Sequence, residues 1–240
     1  MIQTIIASML ELSTWMKYLF PPSCIFCHAS SAHHCCHACA QSLHSYSQHH
    51  CFRCGFILSE SLSPGPCGHC LNKAPPQQQS QSLYVYEDAV RLAILNWKLH
   101  GQDAAIHQLL TMAQARLRQI FQPNDLLLPI PAPLTRMRQS GIHHSADLCK
   151  KISHITQCQW DWRYLRRQGQ QPRQSELSGK ERRLNLRRAF CLSSRPLPEN
   201  IQRIWILDDV MTTGSTLHHA AKTAVKYPYD IHIFSLARVL

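Results

Sequence analysis

Two adjacent carboxylates, Asp208 and Asp209, close an apolar run that begins at Ile204, and Val210-Met211-Thr212-Thr213-Gly214-Ser215-Thr216 follows them. Each residue type in this stretch has a chemical use. Carboxylates accept hydrogen bonds from sugar hydroxyls and help to hold a divalent cation. Hydroxyls and backbone N–H groups at the positive end of a helix dipole suit a phosphate. Like charges repel, so the acids suit the sugar while the bend of Thr212, Thr213, Gly214, Ser215 and Thr216 suits the phosphate. Together they describe a cradle for a phosphorylated ribose. A nucleotide P-loop is a poor rival, because G-x-x-x-x-G-K-[ST] requires a lysine and a first glycine that this stretch lacks. The plain alternative is an ordinary strand–turn–helix with Ser215 or a neighbouring Thr as N-cap.

A second chemistry sits at the other end of the chain. Eight of the twelve cysteines form four C-x-x-C pairs: Cys24 with Cys27, Cys36 with Cys39, Cys51 with Cys54, and Cys67 with Cys70. A C-x-x-C turn presents two thiolates to one side of a tetrahedral ion, and two such turns close a structural zinc site. The spacing predicts two zinc ribbons, the first two pairs on one ion and the last two on another. So short a segment has little core of its own, so metal binding supplies its folding energy. Cys35, His28, His37 and His69 lie close enough in sequence to substitute as ligands. Redox C-x-x-C pairs are a poor alternative, since four of them so close together are unlike a lone redox motif in a βαβ unit.

The elements needed to position these groups can be placed from the pattern. Ile5 to Phe20 reads as an amphipathic helix stopped by Pro21-Pro22, packing on the rest of the chain rather than on a membrane surface. It carries Glu11, no basic start and no small-residue cleavage site, so it is not read as a signal peptide, and it is too short to span a bilayer. The chain divides into this helix (1–22), a double zinc ribbon (23–72), a Pro/Gln/Ser linker (73–82) and an α/β domain (83–240). The α/β domain opens with a strand over Leu83–Tyr86. A helix capped by Asp88 and ending near Gly101 comes next, and then a second helix over about Asp103 to Phe121. A strand from Asp125 runs into a proline-broken loop at Pro129-Ile130-Pro131, and Thr135-Arg136-Met137-Arg138 leads to a helix over about His143–Ile155. The strand into Asp209, a helix over Ser215–Lys226 and a strand over Asp230–Leu236 complete it. This alternation predicts a mostly parallel sheet with helices on both faces, and in such sheets ligands sit at the carboxyl ends of the strands, where Asp208 falls.

Composition narrows the partners. The chain has 240 residues, 45% of them hydrophobic, and a formal charge of +11. That is enough apolar material for a packed core, and the excess positive charge favours polyanions: phosphates, nucleic acid or an anionic membrane surface. From Trp162 to Phe190 nine bases (Arg163, Arg166, Arg167, Arg173, Lys180, Arg182, Arg183, Arg187 and Arg188) face only Glu176 and Glu181, a net +7. Such a loop can close over a charged ligand or track a nucleic-acid backbone. Metal-type cysteines and the lack of an export signal place the protein in the reducing cytoplasm.

The acid pair and its hydroxyl-rich bend resemble the signature of type I phosphoribosyltransferases, which bind phosphoribosyl pyrophosphate (PRPP). The full order of features is similar to the ComF family: a Leu19-Phe20-Pro21-Pro22-Ser23-Cys24-Ile25-Phe26-Cys27 entry, paired ribbons, a PRPP motif near the C-terminus, and Gln174-x-x-Leu177 with Arg182-x-x-Asn185-x-x-x-Ala189-Phe190. The resemblance implies a type I phosphoribosyltransferase-like domain in which Asp208 and Asp209 meet the ribose hydroxyls and Thr212 to Thr216 wrap the 5′-phosphate. The loop bearing Arg136 and Arg138 would hold the pyrophosphate, with Mg²⁺ bridging ligand oxygens. It also implies a competence role: aiding the passage of transforming single-stranded DNA across the inner membrane into the cytoplasm. A helicase or channel protein of the uptake machinery would be the partner there, with the chain cytoplasmic or peripheral at that membrane. The acceptor of any phosphoribosyl transfer is not implied. Where family members commonly read R-G-F-N-Q, this chain has Ser140-Gly141-Ile142-His143-His144, which changes the arginine, aromatic and amide positions. A rival reading is a non-catalytic adaptor that binds single-stranded DNA or a helicase through ribbons and basic loop, with a vestigial PRPP site. Nucleobase salvage ranks last, since no base-recognition element is evident.

Overall fold

The computed structural model describes residues 22–46, 49–63, 65–133, 137–138, 141–168 and 189–240. The helix expected over Ile5–Phe20, Arg136, and the part of the basic stretch from 169 to 188, including Gln174, Leu177, Arg182 and Asn185, lie outside the described residues.

The elements in order are α1 (His37–Gln41), α2 (Gly68–Asn72), β1 (Gln79–Val85), α3 (Asp88–His100), α4 (Ala104–Met112), α5 (Gln114–Ile120), β2 (Asp125–Pro129), α6 (His144–Thr156), β3 (Gln159–Trp160), β4 (Leu165–Arg167), β5 (Phe190–Leu192), β6 (Arg203–Met211), α7 (Ser215–Ala224) and β7 (Asp230–Arg238). Five strands form one parallel sheet in the order β1-β7-β6-β2-β3, and β4 pairs with β5 antiparallel beside it. Strand residues alternate between two cores, as a pleat of period two requires. Leu127, Trp205, Leu207, Phe234 and Leu236 pack with α3, α4, α5 and α6. Leu126, Leu128, Ile204, Ile206, Ile231 and Ile233 pack with α7 on the opposite face. The expected parallel α/β sheet with helices on both faces is what the chain forms.

Three local details differ from expectation. The strand read as Leu83–Tyr86 starts earlier, at Gln79, inside the stretch taken for a linker, because the polar side chains of Ser80 and Ser82 are fully buried in the sheet. Asp88 does not cap α3; Glu87 holds the N-cap position and Asp88 is the first helical residue, while Gly101 ends the helix in the left-handed conformation as anticipated. The helix read over Asp103–Phe121 is two helices, broken at Ala113.

The ribbons attach to an edge of this sheet. One side of β1 pairs with β7; on the other side, Tyr46 N–H donates to Leu83 O (2.8 Å), Val85 N–H to His44 O (2.9 Å) and Ser80 N–H to Phe52 O (2.7 Å). An open strand edge is a template for unwanted pairing, and here the zinc-ribbon backbone occupies it. Arg116 of α5 adds donations to Tyr46 O, Leu83 O and Ser82 O. Cys24, Phe26 and Cys39 of the first ribbon are buried in the same core as α3–α6.

At the amino ends of the strands, buried Asp125 accepts two bonds from Arg203 (2.8 Å each), one from Trp205 Nε1–H (3.0 Å) and one from Gln122 N–H (2.8 Å). Removing one partner of such a buried pair costs about 3–5 kcal/mol, so Asp125→Ala should lower unfolding free energy by that order in denaturant titration. Stripping the metal with a chelator should melt the ribbons, and in hydrogen exchange the Tyr46, Ser80 and Val85 amides should lose protection while the amides between β6 and β7 keep theirs.

Candidate functional site

The chain turns from β2 outward to β3, then returns across the sheet so that β6 flanks β2 on its other side. The order therefore reverses between β2 and β6, and ligands of open α/β sheets bind outside the carboxyl ends of the strands at such a switch point. Ile130 N–H still pairs with Leu207 O (2.8 Å), after which β2 departs into Pro131-Ala132-Pro133. Asp208 and Asp209 follow directly on β6.

The two acids are handled differently. Asp208 accepts from Ser145 Oγ (3.1 Å), in the first turn of α6, and from the Asp209 N–H (2.9 Å). Burial, together with the neighbouring charge of Asp209, raises its pKa to about 7, against the opposing pull of that N–H, Lys98 and Ser145. Asp209 is 8% exposed and forms an ion pair with Lys98 Nζ at 2.7 Å. Lys98 lies in the last turn of α3 and keeps 30% of its side chain exposed, so the pair reaches solvent.

His143 stands between the loop after β2 and α6. Its Nδ1 accepts from Ala146 N–H (3.1 Å), making it the N-cap of α6, and its Nε2 contacts Ala132 N–H (3.2 Å). A neutral imidazole can accept through only one of its two nitrogens; the capping bond from Ala146 takes the Nδ1 lone pair, and burial lowers the ring's pKa, which favours that neutral form. The histidine at the changed amide position thus does a capping job. His144 packs edge-on against Trp97, with ring centroids 4.8 Å apart, and burial lowers its pKa also.

The bend after β6 is polar and open. Thr212, Thr213 and Ser215 are exposed, and Gly214 and Thr216 are half-buried. Thr213 Oγ1 meets Ser215 Oγ at 3.1 Å and accepts from Ser215 N–H at 3.4 Å. The N-cap of α7 is Gly214 at φ +72°, not Ser215 or a threonine. The left-handed turn there demands glycine, and a Cβ would lie 3.3 Å from Met211 Sδ. The hydroxyls stay at the surface of the helix start instead of being spent on the cap. Arg138 is exposed.

Sequence reasoning missed Lys98 and Ser145. A lysine in the last helical turn reads as a routine complement to the helix dipole, and a serine early in a helix reads as solvated. Only the pairing of α3 and α6 over the switch point gives them a partner.

The cysteines gather as expected. Cys24, Cys27, Cys36 and Cys39 form one set and Cys51, Cys54, Cys67 and Cys70 another, the sulfurs of each within 4.8 Å of one another. Backbone N–H groups point at sulfur: Cys36 N–H at Cys24 Sγ (3.4 Å), Cys39 N–H at Cys36 Sγ (3.4 Å) and Cys67 N–H at Cys51 Sγ (3.2 Å). Burial opposes the thiolates of Cys24 and Cys51, but these N–H bonds prevail and lower them to about 6 and about 7. Burial and neighbouring thiols push Cys39 and Cys70 the other way. Four thiols this close favour deprotonation together only around a divalent cation, and both sets fit a structural zinc ion.

Comparison with known proteins agrees with this architecture. A family model described as "Double zinc ribbon domain" matches residues 15–71. The "DNA utilization protein YhgH" of Escherichia coli O157:H7 is 31% identical over 196 residues, covering 79% of this chain and 84% of that protein. "Competence protein F" of Haemophilus influenzae is 28% identical over 235 residues, 93% of this chain and 100% of the relative. A solved hypoxanthine phosphoribosyltransferase from Staphylococcus aureus overlaps with a TM-score of 0.34 at 13% identity, covering 55% of this chain and 62%, under two thirds, of that one; an overlap so partial carries no weight for fold or chemistry. No helix among the described residues is long and apolar enough to cross a membrane. With ribbons, sheet and acid pair in this order, and with relatives that align over most of its length, the chain belongs to the ComF family.

Proposed function

We propose that the crevice between β2 and β6 binds PRPP together with Mg²⁺, and that the protein serves the handling of incoming single-stranded DNA during competence. One observation carries the first half: two acids, an open hydroxyl-rich bend at a helix start and a lysine converge at the sheet's switch point. Asp208 and Asp209 would orient the ribose hydroxyls. Thr212, Thr213, Gly214, Ser215 and Thr216 would hold the 5′-phosphate, and Arg136 with Arg138 the pyrophosphate. Bound Mg²⁺ would supply neutralising charge, and carboxylates and phosphate oxygens are its usual ligands. Lys98 places a positive charge where the ligand's negative charge arrives. The second half rests on the names of the relatives, a competence protein and a DNA utilization protein. A chain of charge +11 also suits a polyanion entering the cytoplasm, met with the help of a helicase or channel protein.

The closed Lys98–Asp209 pair favours one second reading, an adaptor whose PRPP site is a relic. Calorimetric titration with PRPP, with and without Mg²⁺, separates the two, and release of pyrophosphate in the same mixture marks turnover. The adaptor reading predicts no heat at either metal concentration.

The acids make the binding pH-dependent. A carboxylate is needed to accept from the ribose, and Asp208 gains its charge only near pH 7, so affinity should rise as pH increases from about 6 to 8. Asp208→Asn should lower affinity and flatten that rise, and with Asp209→Asn should abolish binding while the domain stays folded. The stability sign runs the other way. A carboxyl whose folded pKa is raised favours the folded state at low pH, and that contribution is lost as pH climbs from about 4 through 7. Asp208→Asn should therefore be no less stable than the parent above pH 7 in thermal melts.

A further inference from the structure

The second ribbon is held by an unusual set of contacts. The four consecutive carbonyls of its first knuckle are each met by a donor from outside the metal set. Phe52 O accepts from Ser80 N–H (2.7 Å), Arg53 O from Gln77 Nε2 (3.1 Å), Cys54 O from Arg238 Nη1 (2.7 Å) and Gly55 O from Tyr46 Oη. The guanidinium of Arg238 also lies over the Tyr46 ring, 5.8 Å from its centroid. Gly55 is in the left-handed conformation at φ +72°, and a Cβ there would come within 2.5 Å of Arg238 Nη1 and 2.9 Å of Ser80 Oγ. The fit leaves no slack between knuckle and sheet.

Arg238 is also a neighbour of the phosphate bend. It pairs in register with Met211, its Nη1 lies 3.7 Å from Met211 Sδ, and Val239 N–H donates to Met211 O (3.0 Å). Met211 is buried and immediately precedes the bend, and its sulfur borders the space a Cβ on Gly214 would fill. Two side chains therefore connect the carbonyl of a metal-ligating cysteine to the glycine that starts α7.

We propose that Arg238 is a positioning residue that makes the geometry of the phosphate bend depend on the metal in the second four-cysteine site. With the ion bound, the Cys51–Cys54 knuckle is rigid and fixes the guanidinium, which in turn fixes Met211 against Gly214. With the ion lost, the Cys54 carbonyl moves, the guanidinium loses its anchor, and Met211 is free to shift, opening the turn whose left-handed glycine presents the hydroxyls. The second zinc is then a condition for ligand binding some residues away, and loss of the ion would switch the site off. The link to PRPP rests on the function proposed above, whereas the link from metal to Met211 does not.

The test uses the full chain with both ions and methyl-labelled methionine, with three measurements on each protein: zinc released per chain, the Met211 methyl resonance, and Mg²⁺-dependent PRPP affinity. Arg238→Gln should retain two zinc ions yet shift the Met211 methyl and weaken PRPP about tenfold, a usual size for coupling between sites. Arg238→Lys, which keeps a donor for the Cys54 carbonyl, should recover part of that loss. Cys70→Ser should release one ion and shift the same methyl, and adding Arg238→Gln to it should cost nothing further. A Met211 methyl unmoved by Cys70→Ser, or losses that multiply in the double variant, would overturn the proposal. If Cys70→Ser fails to fold, the Arg238 pair decides alone, with an unmoved methyl or an unchanged affinity counting against it. If the parent binds no PRPP, the proposed function fails and the methyl shifts still judge the coupling.

Discussion

Two neighbouring carboxylates at the top of a buried sheet are an electrostatic burden, and much of the surrounding structure answers to it. Like charges this close cannot both be ionised cheaply in a partly dry site. One is answered by a lysine: Asp209 pairs with Lys98 and is almost fully covered. The other is answered by hydrogen bonds and by a raised pKa: Asp208 takes a serine hydroxyl and a backbone N–H. Both partners come from helix ends, Lys98 from the last turns of α3 and Ser145 from the first turn of α6, so the packing of those two helices is set where the acids need it. His143 and His144 complete that contact, one capping α6 beside the Ala132 loop, the other standing edge-on against Trp97. Acids retained at such cost without a stabilising role of their own are the usual mark of a binding site.

The zinc-ribbon module solves a different difficulty. A parallel sheet with its core strands β6 and β7 in the middle ends at β1, whose outer edge needs cover. The ribbon backbone supplies it, and the pairing runs from His44 to Phe52 on one side and from Ser80 to Val85 on the other. A ribbon has little apolar core of its own, and here Cys24, Phe26 and Cys39 borrow the core of the α/β domain. Each unit thus satisfies a need that the other cannot meet alone.

Much of this was legible in the sequence. Apolar runs over Leu126–Leu128, Ile204–Leu207 and Ile231–Leu236 are long enough and flanked clearly enough to be read as buried strands, and their parity predicts two cores. The cysteine spacing predicts the two ligand sets, and the acid pair with its bend marks the carboxyl end of β6. Other features were hidden for physical reasons. Gln79-Ser80-Gln81-Ser82 has a linker's composition, but its serines are buried where β1 meets β7, Ser82 sharing a 2.7 Å hydrogen bond with Ser235, so burial prevails over propensity. No glycine or proline marks the break at Ala113. A hydroxyl cap for α7 belongs to the plain strand–turn–helix alternative, since Ser and Thr are favoured N-caps, whereas the backbone turns left-handed at Gly214 and leaves the hydroxyls outward. Lys98 and Ser145 carry no local signal, since what defines them is a partner more than sixty residues away.

The histidine pair after the proline-broken loop is built into the structure around the acids. His143 offers an acceptor to the α6 N-terminus as an amide side chain would, because a neutral imidazole nitrogen and an amide oxygen are alike in that respect. The ring's second nitrogen faces the Ala132 N–H of the loop after β2, but a neutral ring has only one lone pair to give, and the cap uses it. A protonated ring would have no lone pair for the cap. The cap therefore holds as long as the ring stays neutral, and burial keeps it so by depressing its pKa. Burial thus favours the capping form of the ring at the helix start that steadies Asp208, whose own carboxyl pKa is raised to about 7.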